Sequence, residues 1–274
     1  MKHDRYAVFG NPVAHSLSPR IHAAFAAQAE QDMTYEAIHA PRDGFAAFLR
    51  RFVAEDGRGA NVTVPFKEEA FRLCDILTPR ARDAGAVNTL SLEEGVIQGD
   101  NTDGVGLVHD IEHNLGWSLQ GKRILLIGAG GAARGVLPPL LGQRPARLML
   151  TNRTPEKAEI LAEEFVRATD SPLTTGALES LSESFDIVIN ATSASLANAP
   201  IPLPNRVFAP DSLAYDIMYG RHTPFLEQAG KAGASVLSDG LGMLVEQAAE
   251  SFYIWRGLRP VTRPVLETLR AEYR

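Results

Sequence analysis

The run Ile124-Leu125-Leu126-Ile127-Gly128-Ala129-Gly130-Gly131-Ala132-Ala133 constrains this chain more than any other stretch. Its aliphatic residues predict a strand buried on both faces, and the small residues after them open a tight turn into a helix. Gly128, Gly130 and Ala133 fit the G-x-G-x-x-G/A spacing, in which backbone must come close to a pyrophosphate. Free N–H groups at the start of the following helix then favour the anion. Gly128, Ala129, Gly130, Gly131 and Ala132 are therefore the candidate dinucleotide cradle.

The next strand, Arg147–Thr151, ends where the adenosine ribose of such a ligand would lie. An NAD site usually carries a carboxylate there. This chain has Asn152-Arg153-Thr154, with Lys157 one turn on. A guanidinium can pair with a 2′-phosphate bidentately, whereas a carboxylate would repel it. Asn152, Arg153, Thr154 and Lys157 thus point to NADP. Thr154 before Pro155 also reads as a helix cap, and that role is compatible with phosphate binding.

Along all 274 residues, short apolar runs alternate with helical patterns, the mark of an α/β chain. Strands are predicted at 6–10, 34–39, 59–64 and 86–92, with a hairpin partner at 96–99. Helices are predicted at 19–29, 43–55, 67–73 and 104–114. After the Gly-rich turn, strands at 147–151, 185–190, 213–217 and 234–237 continue a second, doubly wound sheet. Pro138 and Pro139 should kink or end the helix that follows the turn, and the proline-rich stretch 197–210 should be irregular. From Met243 the pattern is helical to the end, with helices at 243–258 and 261–273. The expected organisation is an α/β substrate domain over 1–103 and 241–274, enclosing a Rossmann-type nucleotide domain over 104–240. The C-terminal helices pack back on the first domain, and a ligand would be enclosed between the two.

A net charge of −6 argues against general binding to nucleic acid or anionic membrane, so basic groups for an anionic ligand must be local. A lone cysteine, Cys74, excludes an internal disulfide and suits the cytoplasm; it reads as a small apolar residue in a helix. No apolar run is long enough to span a bilayer. His109 and His113 are four apart on one helix but lack further ligands, so no metal is expected. Ser193 and Ser195 lie in no nucleophile elbow.

Polar clusters in the first domain carry the chemistry. Asn61-Val62-Thr63-Val64-Pro65-Phe66-Lys67 closes a strand and puts Lys67 in the first turn of a helix, where the helix dipole disfavours a cation. Lys67 is either a solvated surface lysine or a proton donor. Asp103 is either the N-cap of the next helix or the acid that orients that ammonium. Asn88-Thr89 ends a strand. Ser18 before Pro19 reads as an N-cap, while Ser16 has no local structural role.

In order along the chain, Gly10-Asn11-Pro12-Val13-Ala14-His15-Ser16-Leu17-Ser18-Pro19, Asn61–Lys67, Gly85–Thr89, Asp100–Gly104, Gly128–Gly135, Asn152–Thr154, Asn190–Ser193 and Asp239–Ala248 resemble the signature blocks of the shikimate dehydrogenase family. The resemblance implies NADPH-dependent, reversible reduction of 3-dehydroshikimate to shikimate in aromatic amino-acid biosynthesis. It implies Lys67 as acid/base with Asp103 as partner, and Ser16, Ser18 and Tyr219 on the substrate carboxylate. Thr63, Asn88, Asp103 and Gln247 would meet ring hydroxyls, and Ile217 and Gly240 would lie near the nicotinamide. The implied partner is a small-molecule substrate, and the chain would be a monomer or homodimer. A broader quinate/shikimate dehydrogenase and a non-catalytic NADP-sensing protein remain the alternatives. The chain departs from the family pattern at Leu17, Pro79, Ala194-Ser195 and the short stretch Tyr219–His222.

Overall fold

The computed structural model describes residues 3–166, 173–192, 194 and 199–272. Ser193, Ser195 and Tyr273 lie outside these residues. The chain forms two compact units, one from residues up to Gly106 with Leu244–Glu272, the other from Leu107–Met243.

In the first unit, β1 (Asp4–Gly10), β2 (Met33–His39) and β3 (Gly57–Val62) are parallel, linked by helices α1 (Ser18–Gln28) and α2 (Phe45–Ala54). After β3 come α3 (Lys67–Leu73), β4 (Ile76–Leu77), α4 (Pro79–Ala84), β5 (Thr89–Glu93) and β6 (Val96–Asp100). The sheet order is β2-β1-β3-β5-β6-β4, with β5 antiparallel to both β3 and β6. Glu94 and Gly95 join β5 to β6 with φ of 50° and 80°, the left-handed pair that a two-residue hairpin requires. Phe9, Phe45, Phe66 and Leu90 are among the fully buried residues of its core.

The predicted strand 86–92 starts only at Thr89. Val87 N–H donates to Lys67 O, 2.9 Å, and Asn88 N–H to Asp100 O, 3.1 Å, so this approach segment is tied down outside the strand. Thr78 accepts from Ala81 N–H and caps α4, with Pro79 as its first residue. Cys74 lies just beyond α3 rather than inside it, in extended backbone. Its thiol donates to Ala70 O, 3.1 Å, and burial pushes its pKa up to about 12, so it is held as an unreactive thiol.

Helix α5 (Asp103–His109) continues as a π-helical turn, Asp110–Asn114. In the second unit β7 (Arg123–Ile127), α6 (Gly131–Gly142), β8 (Arg147–Thr151), α7 (Pro155–Val166) and β9 (Leu173–Thr175) are followed by β10 (Phe185–Asn190), β11 (Phe208–Asp216), α8 (Pro224–Lys231) and β12 (Val236–Asp239). The sheet is parallel, in the order β9-β8-β7-β10-β11-β12. This is the doubly wound order, whose direction reverses between β7 and β10. Helices α9 (Leu241–Arg256) and α10 (Arg263–Glu272) close the chain, and from Leu244 onward they belong to the first unit.

One expectation for the second unit is narrowed and one is corrected. Helix α6 runs through Pro138 and Pro139 to Gly142 instead of ending there. Val136, Leu137, Leu140 and Leu141 are buried. Each contributes about 1.5–3 kcal/mol, which offsets roughly 3 kcal/mol per interior proline. The strand expected from Leu213 begins at Phe208 and includes Pro210. Its pairing with β10 shifts register between Phe185 and Ile187, and Asp211 adopts φ 60°, so an irregularity absorbs the proline. Among the described residues no helix is long and apolar enough to cross a membrane.

Candidate active site

Lys67 is the first residue of α3, and Phe66 before it is anchored face to face on Phe45, centroids 4.8 Å apart. That buried anchor holds the lysine at the C-terminal edge of β3. Its Nζ donates to Oδ2 of Asp103, with only 15% and 7% of the two side chains exposed. Asp103 is the first residue of α5, not its N-cap: its N–H donates to Asn101 Oδ1, 3.1 Å, and its carboxylate is turned to Lys67. A carboxylate in that first turn is favoured by the helix dipole, while Lys67 is not, so the pair compensates a charge that α3 alone disfavours.

Around the pair lies a buried amide and hydroxyl network. Asn88 Nδ2 donates to Asp103 Oδ1, 2.8 Å, to Thr102 Oγ1, 3.0 Å, and at 3.4 Å to Gln247 Oε1. The Asn88 Oδ1 accepts from Thr102 N–H, 2.8 Å, and Thr89 Oγ1, 2.9 Å. Gln247 is carried by α9 and oriented by its Nε2 donating to Leu244 O, 2.8 Å. The structure thus brings Lys67, Asn88, Asp103 and Gln247 together. Thr63 and Ser16 lie on neighbouring loops, bridged by Asn11 N–H donating to Val64 O, 3.0 Å.

Ser18 does not cap α1. It is the first helical residue, and its N–H donates to Ser16 Oγ, 3.3 Å. Ser16 therefore performs the turn-capping role that sequence reading gave to Ser18. Tyr219 belongs to the second unit, half-buried in the loop after β11.

In the second unit the Gly-rich turn lies at the reversal between β7 and β10. Gly128 has φ 120°, and a Cβ there would press on the Ala191 carbonyl, so only glycine fits. Its N–H donates to Thr151 O, 2.7 Å. A Cβ on Gly130 or Gly131 would meet nothing. Contacts within the protein do not require glycine there, and the turn is open to an approaching ligand. Helix α6 starts with no acidic residue in its first turn and no side-chain cap, leaving its leading N–H groups available to an anion. These features fit a pyrophosphate. Asn152 is fixed by Nδ2 donating to Thr154 O, 3.0 Å, and Arg153 and Lys157 are exposed. Gly240 packs so closely on Ile217 that a Cβ would overlap the Ile217 carbonyl, and Gly240 N–H donates to Met218 O, 3.0 Å.

The sequence matches known proteins over most of its length. A family model described as the shikimate dehydrogenase substrate binding domain matches residues 8–90. One described as shikimate / quinate 5-dehydrogenase matches 110–200, and the shikimate 5′-dehydrogenase C-terminal domain matches 240–270. The chain belongs to the shikimate dehydrogenase family.

It is 60% identical over 98% of both chains to a shikimate dehydrogenase (NADP(+)) of Dechloromonas aromatica. Among solved structures, an Ael1 enzyme from Pseudomonas putida is 48% identical with TM-score 0.91, covering 97% of this chain and 98% of that one. Shikimate 5-dehydrogenase from Thermus thermophilus, in complex with NADP(H) and shikimate, is 35% identical with TM-score 0.87, covering 98% and 99%.

Several residues that build this shikimate dehydrogenase family site were given no role from sequence. Asn61 Nδ2 donates to Asn88 O and Thr89 Oγ1, both 3.1 Å, and to Ser251 Oγ, 3.0 Å. Its signal was a buried amide in an otherwise apolar strand. Thr102 and Ser251 lack such a signal. His109 and His113 stack edge to face, 4.4 Å between centroids, and among the described residues no group of three or more candidate ligands could hold a metal.

Proposed function

We propose that this chain reversibly reduces 3-dehydroshikimate to shikimate with NADPH, and that it does so in the cytoplasm with the substrate-binding groups on the first unit and the cofactor cradle on the second. The observation that carries this reading is the partly buried Lys67–Asp103 pair at the edge of the first sheet. A sensing protein has no use for a half-buried ammonium aimed by a carboxylate; a carbonyl reductase does.

Gly128, Ala129, Gly130, Gly131 and Ala132 would hold the pyrophosphate, and Asn152, Arg153, Thr154 and Lys157 the adenosine ribose and its 2′-phosphate. When bound, the cofactor supplies the hydride. Lys67 donates a proton to the oxygen of the carbonyl as it becomes an alcohol, and takes one back in the reverse direction. Asp103 aims the ammonium. Asn88 fixes Asp103, and Thr63, Asn88 and Gln247 offer the small polar groups that a polyhydroxylated ring needs. Such a site rejects analogues because its buried polar groups would be left unpaired. Ser16 and Ser18 would bind the carboxylate from the first unit, and on the second unit Ile217 and Gly240, in close contact with each other, would border the nicotinamide.

Steady-state oxidation of shikimate and of quinate, each with NADP and NAD, tests the reading. Shikimate with NADP should give the highest kcat/KM; turnover of neither acid would refute the assignment. The same assay on Arg153→Ala checks the phosphate site. A charge-assisted contact is worth about 1.5–3 kcal/mol, so KM for NADP should rise roughly 10- to 100-fold while KM for NAD stays nearly unchanged. Equal changes for both cofactors would remove Arg153 from the 2′-phosphate.

A further inference from the structure

We propose that Arg80 is a positioning residue for the Lys67–Asp103 pair, acting through the Asp100 carboxylate. This rests on the reading of that pair as the proton-transfer group.

Asp100 ends β6 and is 6% exposed, yet it is a carboxylate. Arg80 neutralises it with a fork: Nε donates to Oδ1, 3.1 Å, and Nη2 to Oδ2, 2.7 Å. Thr78 Oγ1 adds a third donor to Oδ1, 2.8 Å. From Asp100 two arms reach Asp103. In one, Oδ1 accepts from Asn101 N–H, 2.7 Å, and Asn101 Oδ1 accepts from the Asp103 N–H, 3.1 Å. Asn101 is itself 2% exposed and pinned by Nδ2 donating to Ala86 O, 3.0 Å. In the other, the Asp100 carbonyl accepts from Asn88 N–H, 3.1 Å, and Asn88 Nδ2 donates to Asp103 Oδ1, 2.8 Å.

Backbone and carboxylate of Asp103 are thus both referred to one buried residue. The residue that pairs with its charge is Arg80. Arg80 is in turn braced from α9, its Nη1 donating to Glu250 Oε1, 2.8 Å, while Arg259 holds the other Glu250 oxygen. A planar fork fixes a carboxylate in position and angle; a lysine, as a point charge, fixes only its distance. Loss of the fork frees the Asp100 carboxylate to rotate, the Asn101 arm follows, and the shift of Asp103 reaches the Asn88 amide that donates to it.

The test compares Arg80→Met and Arg80→Lys with the parent. Arg80→Met should lower kcat for shikimate oxidation roughly 10- to 100-fold, the penalty of a small misplacement at the chemistry. Its KM for NADP should be unchanged, and kcat is expressed per NADPH-binding site counted by titration, so that a loss of folded protein does not register as a loss of rate. Arg80→Lys should recover part of kcat. The side-chain amide resonances of Asn88, assigned by comparison with Asn88→Asp, should move in Arg80→Met and move less in Arg80→Lys. That spectrum needs no substrate, so it decides the role of Arg80 even if the parent fails to oxidise shikimate. Parental kcat with unmoved Asn88 resonances would overturn the proposal. If Arg80→Met does not fold, Arg80→Lys alone decides by the same pair of readings.

Discussion

Lys67→Ala should reduce 3-dehydroshikimate about 10²- to 10⁴-fold more slowly than the parent, with the Kd for NADP unchanged. The size follows from what the side chain does. The alkoxide that develops on the substrate needs a proton within hydrogen-bond reach, and in the proposed mechanism the ammonium of Lys67, paired with Asp103, supplies it. The cofactor cradle belongs to a different unit, which is why Kd should be insensitive. Removal of the lysine also leaves Asp103, 7% exposed at its side chain, without its countercharge. Stability should therefore drop, by up to about 3–5 kcal/mol, softened by the amide of Asn88. Assays below the lowered Tm separate that effect from chemistry. Added primary amine small enough to enter the space should restore part of the rate. A variant as fast as the parent would remove Lys67 from proton transfer.

The second large effect is on stability in acid, and it comes from His22. This ring is fully buried, stacked on Tyr35 with centroids 4.1 Å apart and planes 9° apart, and neither nitrogen has a hydrogen-bond partner in the structure. Burial depresses its pKa to about 3, with nearby Asn61 acting weakly in the opposite direction. In the unfolded chain the ring titrates near about 6.5. The folded state thus resists protonation that the unfolded state accepts. The stability is fully present above about pH 6.5 and is lost as pH falls from there towards about 3, by roughly 5 kcal/mol over the whole window and about 2 kcal/mol by pH 5. Urea unfolding of the parent and His22→Phe, between about pH 4 and about pH 8, isolates this from other titrations. The parent should lose stability relative to His22→Phe as pH drops. A difference that is flat with pH would remove His22 as the cause.

Much of the fold was legible because its signals are local. Strand β8, strand β10 and helix α3 fall where period and breakers placed them. The Gly-rich turn at Gly128 was legible for the same reason, since a left-handed backbone and an open approach leave glycines in the sequence. Failures occurred where packing or another polar group overrode a local rule. Pro138 and Pro139 break helices in isolation, but α6 is held by the buried face of its own residues. Ser18 looks like a cap beside Pro19, yet the turn is closed one step earlier by Ser16. Asp103 fits an N-cap by type and place, yet it is the first residue of the helix, with its N–H on Asn101 and its carboxylate on Lys67. Residues such as Thr102 and Ser251 were illegible, since an isolated hydroxyl looks alike in a network and on a surface.

By itself the sequence determined an α/β chain with a phosphate-ready Gly-rich turn, a strand end that carries Arg153 rather than an acid, and a set of polar blocks at strand ends. Each rests on period, backbone freedom or charge within a few residues. The tertiary structure alone decided which of those blocks meet. Lys67 and Asp103 are 36 residues apart and Asn88 and Gln247 are 159 apart. They converge because β5 and β6 pair antiparallel beside β3 and because residues from Leu244 onward return to the first unit. Strand order and register are set by the packing of whole faces, a quantity summed over the core, and no local pattern encodes it.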